Sequence, residues 1–468
     1  MADRLIDISG LKKVSVLGMG RSGLEVAKFF SSKNIPVFLS DMADSNKLSK
    51  TLSILDELNI NYETGGHSER AWKDASLVVI SPGISIESDI VKEITERNIP
   101  VISELELAFQ LSLAPFIAVT GTNGKSTTTT LTGNFLSAGG FDVIVGGNIG
   151  IPLVEKAYST TEKHIIVAEV SSFQLETVKY FRPSVSLLLN ITSDHLDRHG
   201  TLENYLDFKC RIFKHQQEGD YVVINYDDPL LMGVVDKIRA EIFYFSTCSE
   251  VPRGMYVNND RIYYKNGSHS SEVCHIKELP LPGEHNLKNT MAAMMASILY
   301  GVSSRDIVNS FSSVKGLRHR IEFVADIEGV RFIDDSKGTN PDAVIAALNA
   351  FKEPAVLIAG GVDKNMDFSS MCEMISHRVK GLVLMGSTSD ILYKGCSGNG
   401  LTNITRVFSI EEAVRKAFSM SEPGDIVILS PGGASFDMFK NAEDRGEKFV
   451  EAVKDLKDSL NNGAGKFE

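Results

Sequence analysis

A glycine-rich loop between a predicted strand and a predicted helix constrains the fold of this chain most strongly. The apolar run Phe116–Thr120 leads into Gly121-Thr122-Asn123-Gly124-Lys125-Ser126, and the following helix is predicted to end at Gly139-Gly140. Such a loop aims backbone N–H groups at phosphate oxygens, while the lysine adds positive charge and a Ser126 or Thr127 hydroxyl can hold Mg²⁺. Val119 replaces the first glycine of the full phosphate-loop pattern, so the loop is a shorter variant. The sequence predicts a parallel α/β domain that binds the phosphates of a nucleotide.

A second glycine turn lies near the start of the chain. The predicted strand Val14–Leu17 is followed by Gly18-x-Gly20-x-x-Gly23, by a helix from Leu24 to Ser31, and by a strand that ends at Asp41. This spacing is typical of a dinucleotide-binding turn. Three interpretations stay open: NAD binding, glycines that only let the helix pack closely on the sheet, and binding of another pyrophosphate such as that of a UDP-sugar.

A third α/β pattern begins at Val330. The apolar runs Val330–Ile333, Val356–Ala359 and Ile426–Leu429 each end at a polar turn. Ligands of open parallel sheets bind beyond the carboxyl ends of the strands, so these turns are predicted to share one functional edge. For the 468 residues we predict an N-terminal Rossmann-like domain (1–103), a central phosphate-loop domain with a parallel sheet (104–316) and a C-terminal Rossmann-like α/β domain (317–468).

Several side chains of the central region are candidates for chemistry. Glu169 lies at the end of an apolar strand. It is interpreted either as a Mg²⁺ ligand or as a surface carboxylate. The segment Asp194–His199 holds two carboxylates and two histidines, which suits a metal site, a solvated loop or a helix cap at Asp194. Lys209 interrupts an apolar helical stripe that includes Tyr205, Ile212 and Phe213. Its stem can lie along that surface, or its amine can react with carbon dioxide to form an anionic carbamate.

The third region carries its own polar candidates. The segment Asp335–Pro341 precedes a predicted helix and is either a helix cap or a functional cluster of charge, hydroxyl and amide. Lys364 and Ser435 follow the next two strand ends, where they can meet a small carboxylate ligand.

Composition excludes other classes of function. A net charge of −12 opposes binding to nucleic acids and to anionic membranes. The five cysteines form no CxxC pair, so neither a zinc site nor a disulfide framework is indicated. No apolar run approaches the roughly 20 residues of a membrane span. We expect a cytoplasmic monomer without nucleic-acid or membrane partners.

Taken together, the motifs resemble those of the Mur ligase family over nearly the entire chain. They are Gly121–Thr127, Gly147–Gly150, Glu169–Glu176, Asp194–Arg198, Lys209, His285-Asn286, His319-Arg320, Asp335–Asn340 and Ser430–Asp437. The resemblance implies a UDP-sugar domain, a central ATPase and a C-terminal domain that brings an amino acid.

The resemblance also implies a reaction of cytoplasmic peptidoglycan precursor synthesis. A phosphoryl group passes from ATP to the carboxylate of UDP-N-acetylmuramoyl-L-alanine, and the amine of D-glutamate attacks the acyl phosphate. The tetrahedral intermediate then collapses to an amide and inorganic phosphate. Positioning and charge neutralisation carry most of such catalysis. The implied cofactors are ATP, two Mg²⁺ ions and a carbamate formed on Lys209 from carbon dioxide.

Site residues follow from the resemblance position by position. The ATP contacts are Gly121, Thr122, Asn123, Gly124, Lys125, Ser126, Thr127, Asn286, Arg320 and Asp335. The metal ligands are Ser126, Glu169, His195 and Lys209 as its carbamate, and the catalytic residues are Lys125, His195, Lys209 and Lys337. The UDP-sugar contacts are Gly18, Gly20, Arg21, Ser22, Gly23, Asp41, Ser81 and Asn148, and the D-glutamate contacts are Lys337, Thr339, Lys364 and Ser435. Met42-Ala43 departs from the polar and basic pair of familiar members, which affects the uridine contacts.

Three alternatives explain less of the sequence than this one. An NAD-dependent oxidoreductase leaves the loop at Gly121 unexplained. A nucleotide-dependent switch usually carries Asn-Lys-x-Asp, a motif that the sequence lacks. Another Mur-type ligase, or a folylpolyglutamate-type ligase, shares the acyl-phosphate chemistry, although the latter does not need the N-terminal Rossmann-like unit.

Overall fold

Three β-sheets, arranged in chain order, organise this computed structural model. The structure describes residues 7–281, 283–314 and 316–461. Within them, every helix is too short or too polar to cross a bilayer. The chain divides into two compact units. The first comprises the chain up to Ile191 with Glu203–Leu279 and Lys288–Val314, and the second comprises Thr192–Leu202, Pro280–Leu287 and Lys315–Glu468.

The first sheet is parallel and lies in the first unit. Its strands are β1 (Val14–Leu17), β2 (Val37–Asp41), β3 (Asn61–Thr64), β4 (Leu77–Ile80) and β5 (Val101–Ser103), and its helices are α1 (Arg21–Ser32), α2 (Ser45–Glu57), α3 (Asp89–Glu96) and α4 (Glu104–Leu111). The strand order is β3-β2-β1-β4-β5. Strands β1 and β4 are buried along their whole length, as expected for a sheet covered on both faces. Helix α1 begins at Arg21 rather than at the predicted Leu24, so Gly23 lies in its first turn.

The second sheet has nine strands and also lies in the first unit. The strands are β6 (Phe116–Thr120), β7 (Asp142–Gly147), β8 (His164–Glu169), β9 (Val185–Leu188), β10 (Tyr221–Asn225), β11 (Glu241–Ser246), β12 (Gly254–Asn258), β13 (Arg261–Asn266) and β14 (His269–His275). The helices along this part of the chain are α5 (Lys125–Ala138), α6 (Val154–Ala157), α7 (Ser172–Leu175), α8 (Leu196–His199), α9 (Leu202–Cys210), α10 (Pro229–Met232), α11 (Glu284–Leu299) and α12 (Ser304–Ser310). Of these, α8 and the first turn of α11 belong to the second unit. The order is β14-β13-β12-β11-β10-β9-β6-β8-β7.

Strand β6 is central to what this sheet positions. It pairs in parallel with β8 on one side and with β9 on the other. The loop after β6 therefore lies at the same edge as the carboxyl ends of both neighbours, where Glu169 and Asn190 stand.

The third sheet lies in the second unit. Its strands are β15 (Glu322–Ile327), β16 (Val330–Asp334), β17 (Ala355–Gly360), β18 (Val379–Leu384), β19 (Ile404–Arg406) and β20 (Ile426–Gly432), and its helices are α13 (Pro341–Asn349), α14 (Ser369–Arg378), α15 (Ser389–Gly398), α16 (Ile410–Ser419) and α17 (Ala442–Asn461). The order is β15-β16-β20-β17-β18-β19, and only β15 runs antiparallel to its neighbour. Along β17, Leu357 packs with α13, α14 and α15, while Val356 and Ile358 pack with α16 and α17.

The predicted fold class is confirmed, and two local predictions need correction. Strands β16, β20 and β17 are adjacent and parallel, so the three predicted polar turns do share one edge. The helix that carries Lys209 ends at Cys210, and Ile212 and Phe213 lie in a short 3₁₀ turn rather than on that helix. Strand β20 runs on to Gly432, beyond the predicted end at Leu429.

Candidate active site

The glycine loop takes the shape that phosphate binding requires. Gly121 has φ +153°, and Gly124 has φ +84° and caps α5. A Cβ atom on Gly124 would lie 2.1 Å from Oδ1 of Asn289. Glycine is favoured at both positions because other residues rarely adopt such positive φ values and because neighbouring atoms leave no space for a Cβ atom. The first-turn N–H groups of α5 have no partner within their own helix, which makes the helix start a natural anion site.

Two lysines converge on one carbonyl oxygen of this loop. The Nζ atom of Lys125 donates to the carbonyl of Gly121 at 3.0 Å and to that of Thr122 at 2.7 Å. The Nζ atom of Lys209 donates to the same Gly121 oxygen at 2.8 Å. Lys209 is 1% exposed and lies over the ring of Tyr205, 4.6 Å from its centroid. Lys209 is thus buried beside Tyr205, although Phe213 of the predicted stripe lies outside its helix. The spacing in the sequence does not show that the amine contacts the loop.

Glu169 presents a buried carboxylate beside the loop. It is 1% exposed, and its Oε1 accepts a hydrogen bond of 2.7 Å from Nδ2 of Asn148. The Asn148 N–H also donates to the Glu169 carbonyl at 2.9 Å. Oε2 is buried with no hydrogen-bond partner among the described residues. A buried carboxylate oxygen in that state is costly unless a cation meets it, and carboxylate and hydroxyl oxygens are the ligands that Mg²⁺ prefers. The residues present therefore fit a Mg²⁺ ion held by Glu169 and the Ser126 hydroxyl.

The N-terminal glycine turn is held by its own neighbours. The Ser81 hydroxyl donates to the Gly18 carbonyl at 3.2 Å, and a Cβ atom on Gly23 would lie 2.0 Å from that same oxygen. Asp41 accepts from the N–H groups of Met19 and Ala43 at 2.6 and 2.8 Å. The predicted UDP-sugar residues Ser81 and Asp41 thus both make hydrogen bonds to the backbone of the turn, Ser81 at Gly18 and Asp41 at Met19. Met42 is exposed at the tip that follows.

In the second unit, Arg320 acts on two titratable groups, the buried Asp335 and the partly buried His285. Its guanidinium is 3.6 Å from Oδ1 of Asp335, whose Oδ2 accepts from the Ser430 hydroxyl at 2.7 Å. Burial raises the pKa of Asp335 to about 6, and Arg320 opposes that rise. Burial, reinforced by Arg320, lowers the pKa of His285 to about 4, so this histidine is neutral at physiological pH. The sequence shows His285 only as part of a motif and does not show that its side chain is desolvated.

The predicted amino-acid residues are already paired with carboxylates. Lys337 lies 3.4 Å from Glu443, and Lys364 lies 3.2 Å from Asp194. Asp194 also accepts from the N–H of His195, which has φ +55° and is the cap residue of α8, so the cap is His195 rather than Asp194. Two other predicted residues of this unit lie near strand ends, Thr339 after β16 and Ser435 after β20. Asn286 lies instead in the first turn of α11.

Arg445 is a site-edge residue that the sequence did not reveal. It is buried, and its guanidinium donates to the carbonyl of Ser336 at 2.8 Å and to that of Gly433 at 3.2 Å. It therefore braces the turn after β16 against the turn after β20. A signal was available, because Arg445 stands four residues before buried Phe449 on α17 and so interrupts an apolar stripe.

The fold and these sites define a class of protein. A phosphate loop in a parallel sheet, a buried carboxylate beside it, and Rossmann-like sheets before and after it are features of a multidomain nucleotide-dependent enzyme. Residues 12–103 match the MurD-like N-terminal domain of Mur ligases, residues 119–297 match the Mur ligase middle domain, and residues 319–433 match the Mur ligase glutamate ligase domain.

Curated relatives and solved structures agree with these matches. The chain is 45% identical over 448 residues to the UDP-N-acetylmuramoylalanine--D-glutamate ligase of Caldanaerobacter subterraneus subsp. tengcongensis, covering 95% of this chain and 99% of that protein. It is 39% identical over 454 residues to the enzyme of the same name from Clostridioides difficile, covering 97% and 100%. The chain belongs to the Mur ligase family, and the predicted enzyme class, an ATP-dependent amide-forming ligase, is confirmed.

Solved structures support the three-domain fold. The MurC ligase of Thermotoga maritima, UDP-N-acetylmuramate-alanine ligase, gives a TM-score of 0.61 at 18% identity and covers 96% of this chain and 100% of its own. The MurF ligase of Thermotoga maritima in complex with ADP gives 0.58 at 17% identity and covers 98% and 100%. At such identities the likeness concerns the fold alone.

Proposed function

We propose that this protein joins D-glutamate to UDP-N-acetylmuramoyl-L-alanine in an ATP-dependent reaction of peptidoglycan precursor synthesis. The observation that carries the proposal is the cluster at the carboxyl edge of β6 and β8. There the start of α5, the two lysines on the Gly121 carbonyl and the unpartnered Glu169 oxygen stand together. The name shared by the relatives from two organisms supports the choice of substrates.

The phosphate loop supplies the ATP side of the proposed site. The start of α5 and Lys125 neutralise the phosphate charges as the terminal phosphoryl group passes to the L-alanyl carboxylate. In the second unit, Arg320 and Asp335 are the proposed partners of the rest of the nucleotide. Asp335 enters this role with a raised pKa and a cation 3.6 Å away.

Mg²⁺ is the proposed metal, with Glu169, Ser126 and His195 as its protein ligands together with a Lys209 carbamate. When bound, it supplies positive charge that screens the phosphate oxygens. The amines of Lys125 and Lys209 both donate to the Gly121 carbonyl, so the amine of Lys209 lies at the loop that is proposed to hold the phosphates. Reaction of the Lys209 amine with carbon dioxide, with loss of a proton, would place an anionic carbamate there as a ligand for the metal.

The second unit supplies the proposed amino-acid side. Lys337 and Lys364 each lie near a protein carboxylate, at 3.4 and 3.2 Å, which are long contacts for a charged pair. The two carboxylates of D-glutamate are proposed to replace these protein carboxylates as the partners of the two lysines. The hydroxyls of Thr339 and Ser435 are proposed to donate hydrogen bonds to the same substrate. Its amine then attacks the acyl phosphate, and inorganic phosphate leaves. The UDP-sugar is proposed to bind at the Gly18–Gly23 turn with Arg21, Ser22, Ser81 and Asn148.

The domain bounds, the cellular compartment and the oligomeric state are also proposed from the sequence. The domain bounds 1–103, 104–316 and 317–468 are those given by the sequence. The five cysteines are all free, which suits the reducing, ATP-rich cytoplasm. A monomer is expected, and light scattering of the purified protein measures it. The alternatives are another Mur-type or folylpolyglutamate-type ligase and, more distantly, an NAD-dependent oxidoreductase.

Release of inorganic phosphate tests the proposal against these alternatives. The protein is incubated with ATP, Mg²⁺ and UDP-N-acetylmuramoyl-L-alanine while the amino acid is varied. We expect release only with D-glutamate, loss of release in Lys125→Ala, and normal release in Lys214→Ala, which removes an exposed lysine. Release that ignores D-glutamate, or equal release with several amino acids, refutes the proposed substrate.

A further inference from the structure

Asn190, just past the end of β9, holds the phosphate loop through three hydrogen bonds. Its Nδ2 donates to the Asn123 carbonyl at 3.0 Å, and its Oδ1 accepts from the Asn123 N–H at 2.8 Å. Its own backbone carbonyl accepts from the Thr122 N–H at 2.9 Å. One residue, 67 positions away in sequence, thus fixes two consecutive loop residues.

The side-chain amide of Asn190 acts here as an additional peptide group. The amide N–H of its side chain donates to the Asn123 carbonyl, and the amide oxygen accepts from the Asn123 N–H. A residue of a neighbouring β-strand pairs with its partner in the same way. The N–H groups of Thr122 and Asn123 are therefore directed to Asn190, and the start of α5, after Gly124, is left to face a phosphate. Gly124 has a left-handed backbone and directly precedes α5. A change in the orientation of the Asn123 peptide group would therefore reorient the N–H groups in the first turn of α5.

We propose that Asn190 is a positioning residue that orients the phosphate loop for the nucleotide. It acts through Asn123 and needs no contact with the substrate. This inference rests on the proposed function, because it assigns the nucleotide phosphates to the same loop. None of the sequence motifs pointed to Asn190, since a polar residue after a buried strand is common.

Two variants of Asn190 separate positioning from packing. Asn190→Ala removes both side-chain hydrogen bonds. Asn190→Asp keeps the acceptor and nearly the same size, but it places a carboxylate oxygen against the Asn123 carbonyl and near the phosphates. A positioning role therefore predicts that Asp is worse than Ala, whereas a packing role predicts that Ala is worse.

Asn225 provides a matched control in the next strand of the sheet. Its Nδ2 donates to the Leu189 carbonyl at 2.9 Å and its Oδ1 accepts from the Asp227 N–H at 3.0 Å. Asn225→Ala thus also removes two side-chain hydrogen bonds, without touching the phosphate loop.

The experiment measures KM for ATP, KM for D-glutamate, kcat and the thermal midpoint, with binding of ADP by calorimetry. For Asn190→Ala we expect KM for ATP and the Kd of ADP to rise about tenfold or more, as for the loss of two hydrogen bonds, with KM for D-glutamate unchanged. Asn190→Asp is expected to exceed that rise, and Asn225→Ala to lower the thermal midpoint without changing KM for ATP.

Opposite outcomes are distinguishable. Normal ADP binding by Asn190→Ala, the reverse order of Ala and Asp, or equal effects of Asn190→Ala and Asn225→Ala overturn the positioning role while the proposed function stands. Wild-type protein that binds no ADP and releases no phosphate overturns the proposed function and this inference with it.

Discussion

The contact between two lysines and one carbonyl is the most informative feature at the scale of single residues. A lysine as buried as Lys209 is rarely retained in a core without a charged or polar partner. One of its partners here is the Gly121 carbonyl, to which Lys125 also donates. The sequence predicted that Lys209 interrupts an apolar stripe, but only the fold brings residue 209 against residue 121.

Removal of the Lys209 amine should abolish activity in a way that can be repaired. In Lys209→Ala we expect a loss of at least about 100-fold in kcat, because the proposed carbamate is lost. A short carboxylic acid such as acetate is expected to restore part of it by replacing the missing anion. Lys214→Ala, with an exposed lysine, serves as the control. Full activity of untreated Lys209→Ala contradicts the carbamate.

The backbone at Gly124 offers a second test at this scale. Gly124 and Gly140 have almost the same φ, +84° and +86°, but a Cβ atom meets Asn289 at 2.1 Å in the first case and open space in the second. Both alanine variants carry strain of about 1–2 kcal/mol for the left-handed backbone. We expect only Gly124→Ala to lose ADP binding, measured by calorimetry, by about tenfold or more. Equal binding by the two variants would show that space at Gly124 is unimportant.

At the scale of elements, continuous apolar runs were predictable and polar strands were not. Strands β6 and β8 read directly from the sequence because both faces are covered. Strand β3, Asn61–Thr64, was missed because none of its residues is buried. The candidate site divides in the same way. The loop follows a strand that the pattern predicts, and Glu169 ends another. The contacts of Asn190 and Arg445 join distant segments, which no local pattern encodes, although Arg445 does interrupt an apolar stripe on α17.

Helix α4 carries a buried acid that makes stability depend on pH. Burial raises the pKa of Glu104 to about 7 from the ordinary 4.5, although the Val154 N–H donates to its Oε1 at 2.7 Å. The folded protein thus holds this proton more tightly than the unfolded chain. Its contribution to the free energy of unfolding is fully present below pH 4.5 and is lost as pH rises to about 7.

We predict that Glu104→Gln removes this pH dependence. The free energy of unfolding of the variant, relative to wild type, should rise by about 2 kcal/mol between pH 5 and pH 8. Urea unfolding followed by the fluorescence of Trp72, the single tryptophan, reports on the first sheet. Glu162→Gln, at an exposed site, is the control and should show no such trend. A constant difference across the pH range contradicts the buried, protonated acid.

At the scale of the whole molecule, we propose one ligand for each sheet. The UDP-sugar is proposed to bind at the first sheet, the ATP phosphates at the second and the amino acid at the third. This division predicts that chemistry requires all three ligands together. Membership of the Mur ligase family supports the arrangement of domains, and the transfer of oxygen during the reaction tests the chemistry.

The most direct measurement follows the oxygen atoms of the substrate carboxylate. UDP-N-acetylmuramoyl-L-alanine labelled with ¹⁸O in that carboxylate is incubated with ATP, Mg²⁺ and D-glutamate, and mass spectrometry is applied to phosphate and product. We predict one ¹⁸O atom in each inorganic phosphate released and one in the amide product, because the carboxylate is phosphorylated before the amine attacks. Unlabelled phosphate, or phosphate released without D-glutamate, would contradict a ligase that works through an acyl phosphate.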